Sequence, residues 1–430
     1  MRFKTISTIL TITISLAMAN SISIENSYQK ALRYEANIQS NTYQVYAKKE
    51  DINQAKSRLY PKVDIQTSGT VRNYIINRNG RKVNERYYTV SLSGSVPIYH
   101  PENYNMIEQS RLKYKFSSLY LSQLKQELAF NVTDTFMSII RAKNSLRVAK
   151  AYLEVNKIKY EQIKKKFKKR LADKMDLLES KVTYEQSIIK VSSEKRNLSL
   201  AKYKFKNLTG IEDIKIPDID LEKIDVSHLN ILFNRDDLLA LNKEIKKSKI
   251  NIALTKKEIK NASYGKYPKA DLTASISKYD SSSSYTDYTK ESRVILNIKM
   301  PLFDGGYTKS REEQYRYLLQ ASNEDLKDTQ RKVLSKYDEL IVNFNTFKEK
   351  IALYKETIKS SKLYLYAVTK GYESGLKDLI DVEDAKAKLF EAKFKLIDSV
   401  YQFIKSYASL LNLFGVFNDN KLHQIDNALY

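Results

Sequence analysis

Residues 167–181 read Phe-Lys-Lys-Arg-Leu-Ala-Asp-Lys-Met-Asp-Leu-Leu-Glu-Ser-Lys, and residues 372–386 read Tyr-Glu-Ser-Gly-Leu-Lys-Asp-Leu-Ile-Asp-Val-Glu-Asp-Ala-Lys. The two stretches align without a gap, and the same offset carries Leu208-Thr209-Gly210 onto Leu413-Phe414-Gly415. Two coiled coils of similar composition would share a helical period but not matched Asp and Gly positions. The chain therefore reads as one structural unit written twice.

Upstream of each stretch the repetition continues. Tyr60-Pro61-Lys62-Val63-Asp64 returns as Tyr267-Pro268-Lys269-Ala270-Asp271, and Val96-Pro97-Ile98-Tyr99 as Met300-Pro301-Leu302-Phe303. Between these prolines the period is two. Val63, Ile65, Thr67, Gly69 and Val71 alternate with Asp64, Gln66, Ser68, Thr70 and Arg72, and Val90, Leu92, Gly94 and Val96 alternate with Ser91, Ser93 and Ser95. In the second half Ala270, Leu272, Ala274 and Ile276 alternate with Asp271, Thr273, Ser275 and Ser277. This predicts strands at about 62–72, 87–98, 269–279 and 291–302, apolar on one face and small-polar on the other, as in a barrel with lipid outside and water inside. The loops around Asn79-Gly80 and Ser281 to Ser284 would be its outer turns. Tyr60, Tyr87, Tyr99, Tyr267 and Phe303 lie near strand ends, where amphipathic rings favour the membrane interface, although a chain with 32 tyrosines places some there regardless. Four strands leave two open edges, which lipid does not tolerate, so closure requires several copies.

Downstream of each strand pair the period is helical. No Pro or Gly interrupts Tyr104 to Lys169 or Tyr307 to Lys370, and apolar residues such as Leu112, Phe116, Leu119 and Leu124 recur every three to five positions. Such a helix would reach about 100 Å, longer than a globular core requires. Each turns, at Arg170–Asp173 or Gly375–Asp378, and returns towards Gly210 or Gly415. Further helices are expected at 25–59 and 236–263, and the segments 211–235 and 416–430 read as irregular and polar.

The N-terminus begins Met-Arg-Phe-Lys, continues through an apolar, Thr/Ser-rich run from Ile6 to Leu16, and reaches Ala17-Met18-Ala19 before Asn20. That is the form of a Sec signal peptide over residues 1–19, followed by a first repeat at 20–235 and a second at 236–430. Without residues 1–19 the balance is 72 basic against 50 acidic residues. The cations are interleaved with acids along helices and form no single arm, so solvated faces, anionic lipopolysaccharide or an acidic partner fit better than nucleic acid. With no Cys there is no disulfide, thiolate chemistry or lipidated N-terminal Cys. His100, His228 and His423 have no metal-ligand spacing, and no phosphate loop or nucleophile elbow is present, so neither an enzyme nor a cofactor is expected.

A secreted, duplicated helix, hairpin and long helical-hairpin unit, with Pro at the helix-to-strand joints and a Leu-Thr-Gly or Leu-Phe-Gly close, resembles the TolC-type outer-membrane efflux proteins. The resemblance covers essentially the whole chain after the signal peptide. It implies a mainly α fold with a membrane β-barrel, a homotrimer with twelve strands in outer-membrane lipid, and twelve helices forming a periplasmic tunnel. It also implies docking onto a periplasmic adaptor and an inner-membrane pump of RND or ABC type. The function implied is the exit duct of a tripartite efflux or type I secretion system. An extended coiled-coil tether or adhesin of the cell envelope is the alternative, and it leaves the strand pairs unexplained.

Residue by residue, the resemblance places a periplasmic gate at Asp381, Asp384, Tyr372, Lys377 and Asp176, with tip contacts to the adaptor at Arg170, Leu171, Gly375 and Leu376. Asp381 and Asp384 are three apart on one helix face, so three copies would gather six carboxylates that attract cations and raise one another's pKa. Asp176 would accept a hydrogen bond from Tyr372. Lys377 stands where the family pattern has Arg, and Met175 where it has a hydroxyl residue. The basic run Lys164-Lys165-Lys166-Phe167-Lys168-Lys169-Arg170 reads either as a docking surface for an acidic adaptor or pump, or as a solvated helix end.

Overall fold

The computed structural model describes residues 22–76, 81–214, 219–220, 222–281 and 290–429. The signal peptide expected at 1–19 lies outside them, as do Asn79-Gly80 and residues 282–284 of the expected turns. The described chain forms helices α1 (Ile24–Tyr34) and α2 (Ala36–Ser57), strands β1 (Lys62–Ile76) and β2 (Arg81–Tyr99), then helices α3 (Pro101–Lys168) and α4 (Lys174–Thr209). The same order follows again: α5 (Arg235–Leu241), α6 (Lys243–Ser263), β3 (Lys269–Ser281), β4 (Lys290–Lys299), α7 (Tyr307–Glu373) and α8 (Leu379–Phe414), closed by α9 (Asp419–Leu429). The duplication is close in length: α3 and α7 hold 68 and 67 residues, and α4 and α8 hold 36 each.

The first hairpin is longer than expected, β1 reaching Ile76 and β2 starting at Arg81 where 72 and 87 were expected, because the ladder runs on through the polar pairs Arg72–Glu85 and Asn73–Asn84, and β4 stops at Lys299, short of 302. Two further features differ from the sequence expectation. The helix expected at 25–59 is broken at Glu35 (φ −72°, ψ 107°) and that at 236–263 at Asn242 (φ −55°, ψ 131°). Neither break carries Pro or Gly; each is a single extended residue whose N–H still returns to the helix behind it, at Ala31 O (2.8 Å) and Leu238 O (3.0 Å). Asn242 also donates from Nδ2 to Leu413 O at 2.7 Å, which satisfies the carbonyl near the end of α8. The second difference is at the C-terminus, where 416–430 was expected to be irregular. Residues 419–429 form a helix that buries Leu422, Ile425, Asp426, Ala428 and Leu429. Its apolar positions recur at three- and four-residue steps, the signature of an amphipathic helix too short to stand out among polar neighbours.

The chain divides into two compact units. One comprises the described parts of Thr42–Tyr120 and Glu244–Thr329 and contains the sheet. Its strands run β1-β2-β3-β4, all antiparallel, so the β2–β3 pairing joins the two repeats. The register aligns one face throughout: Ile65 faces Leu92, Leu92 faces Ile276, Leu272 faces Leu296, and Ala274 faces Val294. The other face pairs Gln66 with Ser91, Ser93 with Ser275, and Ser275 with Arg293. Pro97 sits at a bulge opposite Asp271, beyond the last β1–β2 pair at Ser95, where its missing N–H costs no ladder bond to β1. At the foot of the sheet His100 Nε2 lies 2.9 Å from Asp271 Oδ1, and Lys269 pairs with Glu102, so the end of β2, the start of α3 and the start of β3 are tied by polar contacts.

The other unit comprises the described parts of Met1–Asn41, Leu121–Lys243 and Gln330–Tyr430. Its core is the second half of α8: Leu396, Val400, Phe403, Ile404, Tyr407, Leu411 and Phe414 are buried. The Phe344 ring stacks on Phe403 at 4.9 Å, and Phe233 meets Phe414 at 5.2 Å. The segment between α4 and α5 is strapped down by lysines: Glu222 accepts from Lys362 and Lys393, each at 2.8 Å, Asn230 from Lys348 at 2.8 Å, and the Ile224 carbonyl from Lys355. Burial works against the charge on Glu222, but the two ammonium groups hold its carboxyl below the usual range.

Candidate functional site

The expected gate and docking residues all lie at the two tips, where α3 turns into α4 and α7 into α8. Each tip is built from the same two devices. The first ends the outgoing helix: at the second tip Leu376 N donates to Gly371 O (2.8 Å) and Gly375 N to Tyr372 O (3.1 Å), with Gly375 left-handed at φ 77°. This is a Schellman closure, which satisfies the carbonyls a helix end leaves free. At the first tip the bonds are Leu171 N to Lys166 O and Arg170 N to Phe167 O, both 2.9 Å, with Arg170 at φ 59°. Among the described residues Arg170 alone, apart from glycines, has positive φ.

The second device starts the return helix. Asp173 Oδ1 accepts from Asp176 N (2.8 Å) while Asp176 Oδ2 accepts from Asp173 N (3.4 Å). Asp378 and Asp381 repeat this reciprocal cap at 2.9 and 3.3 Å. Asp176 and Asp381 are thus occupied in ending their own turns. The signal was present in the sequence as two Asp-x-x-Asp spacings ahead of apolar runs, but the roles of Asp173 and Asp378 were missed.

Lys377 and Asp381 are brought together, Nζ to Oδ2 at 3.4 Å, with both side chains partly exposed. A Cβ at Gly371 would lie 2.9 Å from the Lys377 side chain, so Gly371, also missed from sequence, leaves room for that lysine to lie along the turn. Asp384 is exposed one turn further on. Tyr372 is 42 % exposed, and within the chain its hydroxyl is not hydrogen-bonded to Asp176, so the contact expected between these two residues does not form here. Leu171 and Leu376, which in many such closures fold back onto the helix, are instead 72 % and 83 % exposed. Behind the second tip Val368, Val382 and Ala385 form a buried cluster with Leu365 that fixes how α7 and α8 meet. Glu383 lies beside it, 5 % exposed, with Oε1 accepting from Lys386 at 2.8 Å. Nothing in the sequence distinguishes this inward acid from the solvated acids around it. Among the described residues no cluster of His, Asp and Glu is arranged to hold a metal ion.

With this geometry in place, the comparison with known proteins is specific. The family model described as outer membrane efflux protein matches twice, at residues 27–210 and 234–416, one match for each structural repeat. The chain belongs to the outer membrane efflux protein family. Outer membrane protein TolC of Escherichia coli is 22% identical over 417 residues, covering 94% of this chain and 84% of TolC. Alkaline protease secretion protein AprF of Pseudomonas aeruginosa is 21% identical over 344 residues, covering 79% of this chain and 72% of AprF. The crystal structure of the outer membrane protein VceC of Vibrio cholerae superposes with a TM-score of 0.78 at 14% identity, covering 92% of this chain and 97% of VceC. Like its relatives, this outer membrane efflux protein resides in the outer membrane with a large periplasmic part and serves as an exit duct in efflux or type I secretion. The relatives are channel and transport proteins, not enzymes.

Proposed function

We propose that three copies of this chain close a twelve-stranded barrel in outer-membrane lipid, β4 of one copy pairing with β1 of the next, above a tunnel of twelve helices. The observation that carries this reading is the sheet itself. Its apolar face is bare, with Ile65 77 % and Val294 73 % exposed, and β1 and β4 have unpaired edges. Lipid covers such a face at no cost, but an open edge in hydrocarbon would leave a row of unsatisfied backbone groups. Annular closure by further copies removes the edges and encloses the serine-rich face around water.

In the same assembly the second tips would converge on the axis, where Asp381 and Asp384 narrow the mouth and attract cations. Lys377, held beside Asp381, and Tyr372, with its hydroxyl free to reach Asp176, would latch it. Leu171 and Leu376, displayed beside Arg170 and Gly375, would meet the adaptor. Mass determination of the purified oligomer, paired with single-channel recording in planar bilayers, tests the reading. A trimer with small conductance blocked by multivalent cations supports it. A rod that never conducts would establish an envelope tether and remove the barrel.

A further inference from the structure

We propose that the wall of the helical tunnel carries a binding cleft for a small organic anion, a carboxylate or sulfonate on an apolar body, built from the four longest helices of one chain. This rests on the duct reading above and names a class of molecule that the duct would hold on its way out. The cleft has a volume of about 630 Å³ and lies within one of the two compact units. α3 lends it Arg141, α4 Lys190 and Lys204, α7 Lys350 and α8 Lys395, so a cation arrives from every wall. Leu200, Phe347, Tyr354 and Phe394 supply apolar surface between them.

The acids of the cleft are Glu194 and Asp398, and both are already engaged. Asp398 pairs with Arg141 at 2.7 Å, and Glu194, 8 % exposed, with Lys190 at 3.0 Å. Lys395 turns to Glu391 at 2.7 Å, outside the cleft lining. Lys204 and Lys350 are exposed and have no carboxylate partner among the described residues, Lys350 lying over the Phe347 ring at 5.2 Å. Two positive charges therefore line a concave space with no acid to match them. Walls of low dielectric focus their field there, and a bound anion would offset it.

Another side of the same helices shows what a balanced face looks like. There Lys362 and Lys393 share Glu222, Lys348 meets Asn230, and Lys355 meets the Ile224 carbonyl, so each of these four lysines has an acceptor on the 211–235 strap. At about 100° per residue, Lys350 stands about half a turn round α7 from Lys348 and Lys355, and Lys395 about half a turn round α8 from Lys393. Straps carried inside a ring of helices would fill its lumen. They belong outside, and the cleft then opens on the tunnel, where closing the ring leaves it in water.

The test uses the full-length oligomer in phosphatidylcholine nanodiscs and two fluorescent probes that share a ring and differ in charge, 2-naphthalenesulfonate and 2-naphthylmethylammonium, with empty nanodiscs as the blank. The wild type should raise the anisotropy of the sulfonate and not of the ammonium, with affinity falling as salt rises. Lys204→Gln with Lys350→Gln should bind the sulfonate about tenfold more weakly. Lys204→Arg with Lys350→Arg should retain binding, and Lys348→Gln, on the strap face, should leave it unchanged. Because neither Lys204 nor Lys350 has an ion pair to lose, the double Gln variant should match the wild-type oligomer in heat resistance. Equal binding of both probes, or undiminished sulfonate binding by the double Gln variant, overturns the proposal. Planar-bilayer conductance of the same preparations separates this from the duct reading. A preparation that conducts without binding the sulfonate removes the cleft alone, and one that binds it but never conducts counts against the duct and keeps the cleft.

Discussion

The carboxylate of Asp426, near the C-terminus, accepts hydrogen bonds from the backbone N–H groups of Ile24 (2.9 Å) and Glu25 (3.0 Å), so α9 caps α1 across almost the whole length of the chain. Asp426 is 5 % exposed, and burial pushes its carboxyl above the usual carboxylate range. Asp426→Ala removes both acceptors and leaves two N–H groups without partners at the start of α1. The expected loss is about 2 kcal/mol, read as a lower denaturant midpoint, with Asp426→Asn losing about half as much because one oxygen remains.

Glu222 gives a pH dependence with a definite sign. Its carboxyl is held below the ordinary value of 4.5 by Lys362 and Lys393, so the strap's contribution is full above that value and is lost as pH falls through the depressed one. Glu222→Gln at neutral pH should match the wild type in acid, losing about 1 kcal/mol. Limited proteolysis of the 211–235 segment at the two pH values reads this directly. Equal cleavage of both proteins in both conditions would show that the lysines do not hold the segment.

Asp381 and Asp384 can be separated by what each does in the fold. Asp381 completes the cap of α8, whereas Asp384 is exposed and outside it. Asp384→Asn should weaken block by divalent or trivalent cations at the tip side without lowering the melting temperature. Asp381→Asn should weaken block and also cost about 1 kcal/mol. Tyr372→Phe should raise open probability, and an unchanged value would count against a Tyr372–Asp176 latch in the assembled channel.

The two faces of the sheet should respond oppositely to charge. Val294→Lys falls on the face that Leu272, Ala274 and Ile276 share, where a cation near mid-membrane costs about 2–4 kcal/mol. Ser93→Lys falls on the face of Asp64 and Ser275 and should be tolerated. The yield of heat-resistant oligomer in the outer-membrane fraction compares the two.

The repeats, the long helices and the alternating faces were legible because each rests on a local period, or on Pro and Gly at fixed places. Pro61 and Pro268 each stand just before a strand, and Gly210 and Gly415 take the left-handed corners that end α4 and α8. What was not legible depends on tertiary contact. The break at Asn242 is sustained by a bond to Leu413, far along the chain, and no local residue announces it. α9 was read as tail because only its inward side is apolar, and that side is defined by α1. A bond between Tyr372 and Asp176 would be set by packing between two turns, which neither turn encodes. Conversely, Arg170 and Gly375 align in the sequence, and only the backbone angles show that the first holds a side chain in the left-handed region.

The hydrogen-bonded seam between β2 and β3 joins two repeats of one plan inside a single polypeptide. Identical halves assembling as separate chains would be bound to identical corners, since one codon would write them all. Stitched together, each corner has a codon of its own. One corner keeps glycine beside balanced charges, and the other carries an arginine after a run of lysines, so two turns of one plan bear different chemistry within a single chain.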